Sequence, residues 1–183
     1  MHPLLASLFI GLAVTSAAQA QQAPAAAPPQ PCATPQDRQL DFWVGDWTFG
    51  EVGANPAPSN RITRDEFGSC AIVEHFLQPG GRPDGSDYIG GSYSMYDPQT
   101  SLWRQMWVDN NGSSFQLIGG PVTGQAHIFE FVTTKPIGAA TKAYSRMIFE
   151  NVQENSFDWR WQSQNADGSW TDRWVLNYRR KTH

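Results

Sequence analysis

From Leu40 to the C-terminus the chain repeats one unit, a run of about eight to twelve residues rich in aromatic and β-branched types followed by an explicit turn signal. That rhythm restricts the fold to an all-β meander. Turns fall at Pro56-Ala57-Pro58, Gly80-Gly81-Arg82-Pro83-Asp84-Gly85, Asp97-Pro98, Asn110-Asn111-Gly112, Gly119-Gly120-Pro121, Pro136-Ile137-Gly138 and Asn165-Ala166-Asp167-Gly168. Asn111-Gly112 is a particularly strong hairpin signal. Between the turns the sequence predicts ten strands: Phe42–Val52, Asn60–Phe67, Cys70–Gln78, Tyr88–Tyr96, Ser101–Asp109, Ser113–Gly119, Ala126–Thr134, Lys142–Glu150, Ser156–Ser163 and Trp170–Arg180. Short connections make successive strands antiparallel. One helical turn is expected ahead of them, where Thr34-Pro35 reads as an N-cap followed by proline at the first helical position.

The eight tryptophans fall in four pairs at even spacing, Trp43/Trp47, Trp103/Trp107, Trp159/Trp161 and Trp170/Trp174. Even spacing puts both members of a pair on one face of a strand. An open sheet of ten twisted strands would leave two long edges and a wet aromatic face, so a closed up-and-down barrel is the expected architecture. A two-sheet sandwich is the alternative.

Ahead of this domain, Leu4 to Ala18 is almost uninterrupted apolar sequence and ends in the small-x-small pattern Ala18-Gln19-Ala20, which predicts a secretory signal peptide over residues 1–20. The apolar run is shorter than the ~20 residues a spanning helix requires, so no transmembrane segment is expected in the mature protein. Residues 21–34, opening with a stretch of Ala, Pro and Gln, are expected to form a disordered leader. The remaining residues, 35–183, number about 150 and suit one domain with one core.

Export to the periplasm or beyond the cell fits the two cysteines, Cys32 and Cys70, since an even pair in an oxidising compartment usually closes. A bridge of this span is worth about 4 kcal/mol by chain-entropy arithmetic. A metal site is not expected, because His75 and His127 lie far apart and the chain has no CxxC or HxxxH. The formal net charge of −4 argues against a nucleic-acid partner. The one basic cluster, Arg179-Arg180-Lys181, reads as a solvated strand end.

Alternation assigns sides within the strands. In the fifth, Trp103, Gln105, Trp107 and Asp109 share a face; in the third, Ile72, Glu74 and Phe76 share one with Cys70. A face mixing aromatic and polar side chains is what a ligand-holding lumen looks like. The candidate lumen residues are Glu74, Ser92, Ser94, Trp103, Gln105, Trp107, Asp109, Arg146, Trp159, Trp161 and Tyr178. The bland counterpart is a barrel filled by its own aromatics, with Glu74, Asp109 and Arg146 as surface charges or a structural ion pair. Ser92 and Ser94 lie in no nucleophile-elbow motif, and Gly90-Gly91 and Gly119-Gly120, lacking a strand-to-helix context, read as bends or bulges rather than phosphate cradles.

Gly45-Asp46-Trp47 resembles the Gly-x-Trp signature of the calycin superfamily, the lipocalins and their relatives. That resemblance implies that Trp47 closes the base of the barrel under a cation from the last strand, Arg179 or Arg180. Parity then favours Arg180, which shares a face with Trp174, Leu176 and Tyr178. A wider resemblance runs through Leu40–Trp47, Gly68–Glu74, Gly91-Ser92, Tyr96-Asp97, Trp103–Gly112 and Tyr178–Arg180. It is to a large bacterial family of exported proteins of unknown function, and it implies a fold and no activity. The haem-binding nitrobindin type, a calycin that holds its cofactor through one histidine near the C-terminal end, differs here. The last two predicted strands contain no histidine, His183 is a tail residue, and no cofactor is expected.

The first functional reading is therefore an exported barrel that binds a small, partly apolar molecule, with tryptophans as walls and Glu74, Gln105, Asp109, Arg146 and Tyr178 orienting polar groups. The second is a hydrolase- or isomerase-like enzyme using the same cavity, with Glu74 or Asp109 as base and Arg146 or Tyr178 stabilising negative charge. The third is a packed structural or interaction barrel of the cell envelope, marked by a filled lumen and an exposed apolar patch.

Overall fold

The computed structural model describes residues 31–182 apart from 52, 65, 123–127 and 138–139. The predicted signal peptide, leader residues 21–30, His127 and His183 lie outside the described residues. Ten strands form: β1 (Gly45–Thr48), β2 (Ser59–Thr63), β3 (Ala71–Gln78), β4 (Tyr88–Asp97), β5 (Leu102–Asp109), β6 (Ser114–Pro121), β7 (Phe129–Ile137), β8 (Ala140–Gln153), β9 (Ser156–Gln164) and β10 (Trp170–Arg180). Each pairs antiparallel with its sequence neighbour, and β1 pairs with β10, so the sheet closes. This is the architecture expected of a meander with an aromatic inner face, and it is consistent with a calycin-like fold. No helix among the described residues is long and apolar enough to cross a membrane.

The expected first strand, Phe42–Val52, is much shorter in the structure. Asp41–Trp43 coil into a 3-10 turn, with the Trp43 N–H bonded to the Leu40 carbonyl and the Val44 N–H to that of Asp41. The turn carries Leu40 and Trp43 across one end of the barrel, where both are buried. Phe42 packs there against Phe129, Phe149 and Phe157 at ring separations of 5.3, 5.6 and 6.1 Å. A preceding 3-10 turn, Gln36–Arg38, sits where Thr34-Pro35 signalled it, and Thr34 and Asp37 exchange hydrogen bonds across it. Cys32 and Cys70 are joined in a disulfide that ties this segment to the start of β3. A third 3-10 turn, Phe67–Ser69, has no sequence signature.

One tryptophan pair departs from strict alternation. The ladder between β9 and β10 shifts register between Asp172 and Trp174, so one extra residue reverses the faces. Trp174 points inward, whereas Trp170 lies on the outer wall against Arg146, 4.3 Å from the ring centroid.

The seam of the barrel is thin. In β1 only Trp47 and Thr48 are in register with β10, opposite Arg180 and Arg179. The seam is reinforced by side chains. The Arg180 guanidinium carbon lies 4.1 Å from the Trp47 ring centroid, its Nη1 donates to the Val44 carbonyl at 3.1 Å, and its Nε donates to the Glu154 carbonyl. The buried indole of Trp47 donates from Nε1 to the Trp43 carbonyl at 2.7 Å and meets Phe157 edge-on. Gly45 leaves room for this brace: its φ is +141°, and a Cβ there would overlap Arg180 Nη1. The glycine, tryptophan and arginine thus form one packing unit. Arg179, by contrast, is exposed and makes one long bond to the Gly50 carbonyl.

Arg180→Ala should therefore lower stability by ~1–2 kcal/mol, the size of a desolvated cation–π contact, and Gly45→Ala by ~1–3 kcal/mol through backbone strain and displacement of the guanidinium. Arg179→Ala should stay within about 0.5 kcal/mol, as surface changes do. Urea denaturation midpoints of the three variants check this order; equal effects at the two arginines would contradict it.

Candidate functional site

Because the N-terminal turns plug one end, the lumen is open at the other. Alternation along β3, β5, β9 and β10 sends a row of side chains inward from each, and their depth depends on distance from the plug. Near the plug, Ile62, Ile72, Trp103, Leu117, Phe131, Phe149 and Phe157 fill the interior. Toward the mouth the packing opens into a cavity of about 240 Å³.

Of the residues predicted for the lumen, Glu74, Gln105, Trp107, Asp109, Trp159, Trp161 and Tyr178 line this cavity. Four others do not. Trp103 is fully buried at the plugged end, where its Nε1 donates to Gln39 Oε1. Ser92 and Ser94 point inward but lie beneath the cavity surface, Ser92 bonded to Glu74 and Ser94 to Gln105. Arg146 is on the outer wall, where it bonds Gln162 and Glu130 and covers Trp170. Its neighbours Met147 and Phe149, of the opposite parity, take the inside and leave Arg146 facing out on the side of Ile148.

Phe76, Tyr88, Phe115 and Trp174 also line the cavity. Alternation places Phe76 with Glu74 and Trp174 with Tyr178, so a signal for these two existed in the sequence. Buried Asn60 is a further participant, although it lies in a strand whose side chains gave no functional signal.

The polar floor centres on Glu74, which is 7 % exposed. Its Oε2 accepts from Ser92 Oγ at 2.6 Å and its Oε1 from Asn60 Nδ2 at 2.8 Å, while Asn60 Nδ2 also donates to the Tyr178 hydroxyl at 3.2 Å. Asn60 Oδ1 is buried with no partner among the described residues. Burial pushes the Glu74 carboxyl up from its ordinary value to about 7, and the bonds from Ser92 and Asn60 only partly offset this. Burial, reinforced by the nearby Glu74 charge, also holds the Tyr178 phenol well above its usual range, so it stays protonated.

At the mouth Asp109 is fixed by the β5–β6 hairpin. Burial would raise its pKa, but bonds from Trp107 Nε1, the Ser113 N–H, the Tyr88 hydroxyl and the Asn111 N–H outweigh that and lower it. Asp109 is therefore an ionised carboxylate and a weak base. Trp107 reaches it by lying flat across Gly90, where a Cβ would overlap the indole. Gly90-Gly91 and Gly119-Gly120 are not bulges, since the register runs unbroken through both; at Gly90, Gly91 and Gly119 a Cβ would overlap a neighbouring strand, whereas Gly120 has open space around it. No group of three or more metal-ligating side chains occurs among the described residues.

The folded protein holds the Glu74 proton more tightly than the unfolded chain, whose carboxyl titrates near 4.5. This favours folding fully below that pH, and the advantage is lost as pH rises through about 7. Relative to the wild type, Glu74→Gln should gain stability on the order of 3 kcal/mol between pH 4.5 and pH 8. Urea titrations of both proteins across this range measure it, and a constant difference would mean that Glu74 is not desolvated.

No protein-family profile matches the chain, and no curated protein matches it.

Proposed function

We propose that this protein is an exported barrel that binds one small, partly apolar molecule in its open lumen. The observation that carries the reading is the division of the lumen into an aromatic-walled cavity of about 240 Å³ over a polar floor of Glu74, Gln105 and Tyr178. Such a cavity supplies apolar contact for the body of a ligand and a few directed hydrogen bonds for its polar end. Trp159 and Trp161 stack at 6.4 Å, and Phe115 tilts against Trp161 at 5.5 Å, which makes a broad wall for a planar group. Export is supported by the Cys32–Cys70 disulfide and by the apolar segment ending at Ala20.

A packed interaction barrel is less well supported. Ile89, Tyr93, Met95, Met106 and Val108 do expose apolar surface on the outer wall of β4 and β5, but the lumen beside them is not filled. An enzyme built on the same floor would use Glu74 as its base, since a carboxyl near pH 7 is suited to proton transfer and Asp109 is not. Its mark would be a Glu74→Gln variant that binds but does not turn over.

The neutral fluorophore N-phenyl-1-naphthylamine should brighten on mixing with the wild-type protein and quench its tryptophans. Trp161→Ala should weaken binding about fivefold or more, by loss of the wall, whereas Tyr93→Ala on the outer face should leave it unchanged. Binding that is lost equally in both variants, or in neither, would place the probe outside the lumen.

A further inference from the structure

The cavity has a charge character that its apolar walls do not require. Its described lining contains two carboxylates, Glu74 and Asp109, and no lysine, arginine or histidine. Glu74 has no ion-pair partner among the described residues, although arginines form several pairs on the outer wall. Above Glu74 stand four rings. Phe76 is two residues along β3 on the same face, 6.1 Å from Trp107 and 5.7 Å from Trp174, and Tyr88 lies 6.4 Å and 6.2 Å from the same two. Ring faces carry the negative side of the aromatic quadrupole, so a cluster of rings over a buried carboxylate attracts positive charge and disfavours negative charge.

We propose that the polar end of the ligand is a cation, an organic amine or quaternary ammonium held between the Glu74 carboxylate and the surrounding rings. The proposal rests on the lumen reading above and assigns its ligand class. An ammonium would supply the counter-charge that the fold withholds from Glu74, and a primary amine would also offer N–H donors to a floor rich in acceptors. A carboxylate ligand would meet two like charges, and a neutral ligand would gain from the rings only by contact.

Protonation of Glu74 then competes with cation binding. The groups facing Glu74 are Ser92 on β4 and Asn60 on β2, which do not titrate, Tyr178 on β10 and Tyr88 on β4, whose phenols are raised, and Asp109 at the mouth, whose pKa is lowered. Between pH 6 and pH 8 only Glu74 among them changes charge. With its midpoint at about 7, the ionised fraction rises from about one-tenth to about nine-tenths, and affinity for a permanent cation rises with it.

The test uses 2-phenylethylamine, 2-phenylethanol and phenylacetate, which share a ring and a similar spacer and are positive, neutral and negative over this range. Titration calorimetry of the wild-type protein at pH 8 should rank them in that order, with the amine about tenfold or more tighter than the carboxylate. Amine affinity should rise about tenfold from pH 6 to pH 8 while that of the alcohol stays within about twofold. Glu74→Gln should bring amine and alcohol to within about twofold of each other and remove the pH dependence; Trp161→Ala should weaken both. The wild-type ranking decides the question even if a variant fails to fold. Alcohol or carboxylate binding as tightly as the amine overturns the cation assignment. So does failure of all three to bind while N-phenyl-1-naphthylamine still binds in a Trp161-dependent way. Loss of that probe's binding as well is the failure of the lumen reading itself.

Discussion

Closure at the seam between β1 and β10 is the constraint on which the rest of this structure depends. A ten-stranded sheet left open would expose two edges and wet its inner aromatic face, so the stability of the whole barrel passes through a strand only four residues long. The backbone ladder there is short: two residue pairs in register and a bond from the Lys181 N–H to the Asp46 carbonyl. The stack of Arg180 on Trp47, with bonds from the guanidinium to the Val44 and Glu154 carbonyls, makes it a three-dimensional joint. Gly45 is part of the same joint because nothing larger leaves the guanidinium its path.

The joint also sets where the lumen is open. Trp47 donates to the Trp43 carbonyl, which fixes the 3-10 turn that lays Leu40, Phe42 and Trp43 across the adjacent end. With that end sealed, the large side chains of β5 to β9 are buried together in one cluster near it. The mouth has no equivalent plug among the described residues, and the aromatic side chains there, apart from Phe76, are only partly buried. Polar groups in this region divide by solvent. Asp109, at the rim and ringed by donors, stays ionised, whereas Glu74, deeper and with two donors, is pushed up to about 7 and changes charge across neutral pH. The two carboxylates share one cavity and differ through burial and hydrogen bonding.

On the outside the same strands carry an ordinary charged surface, with Arg146 between Glu130 and Gln162 and Arg160 between Glu150 and Asp172. The outer wall of β4 and β5 is different, exposing Tyr93 and Met95 beside Met106 and Val108. The barrel thus has a polar and an apolar flank, and the lumen is distinct from both.

The sequence by itself determined the strands and, wherever alternation ran unbroken over a clear pattern, the side a residue faces, because turn chemistry and a period of two are local properties of the chain. Nine strands fall within a few residues of their predicted bounds, and Glu74, Gln105, Trp107, Asp109, Trp159 and Tyr178 all face inward as alternation requires. Local rules failed where one residue changed the count or the conformation: the bulge before Trp174 turned Trp170 outward, and the 3-10 turn took Trp43 out of β1. Arg146 is a different case: both parities of β8 carry apolar residues, Met147 and Phe149 on one and Ile148 on the other, so alternation alone did not choose its face. Depth was beyond the sequence's reach. Trp103 and Trp107 lie on one face of one strand, yet the first is sealed in the core and the second lines the cavity. Only the tertiary structure decided that, because depth depends on which end the N-terminal turns plug. Asn60 joins Glu74 and Tyr178 for the same reason: closure of the ring brings β2, β3 and β10 together around one point, and no local pattern encodes that meeting.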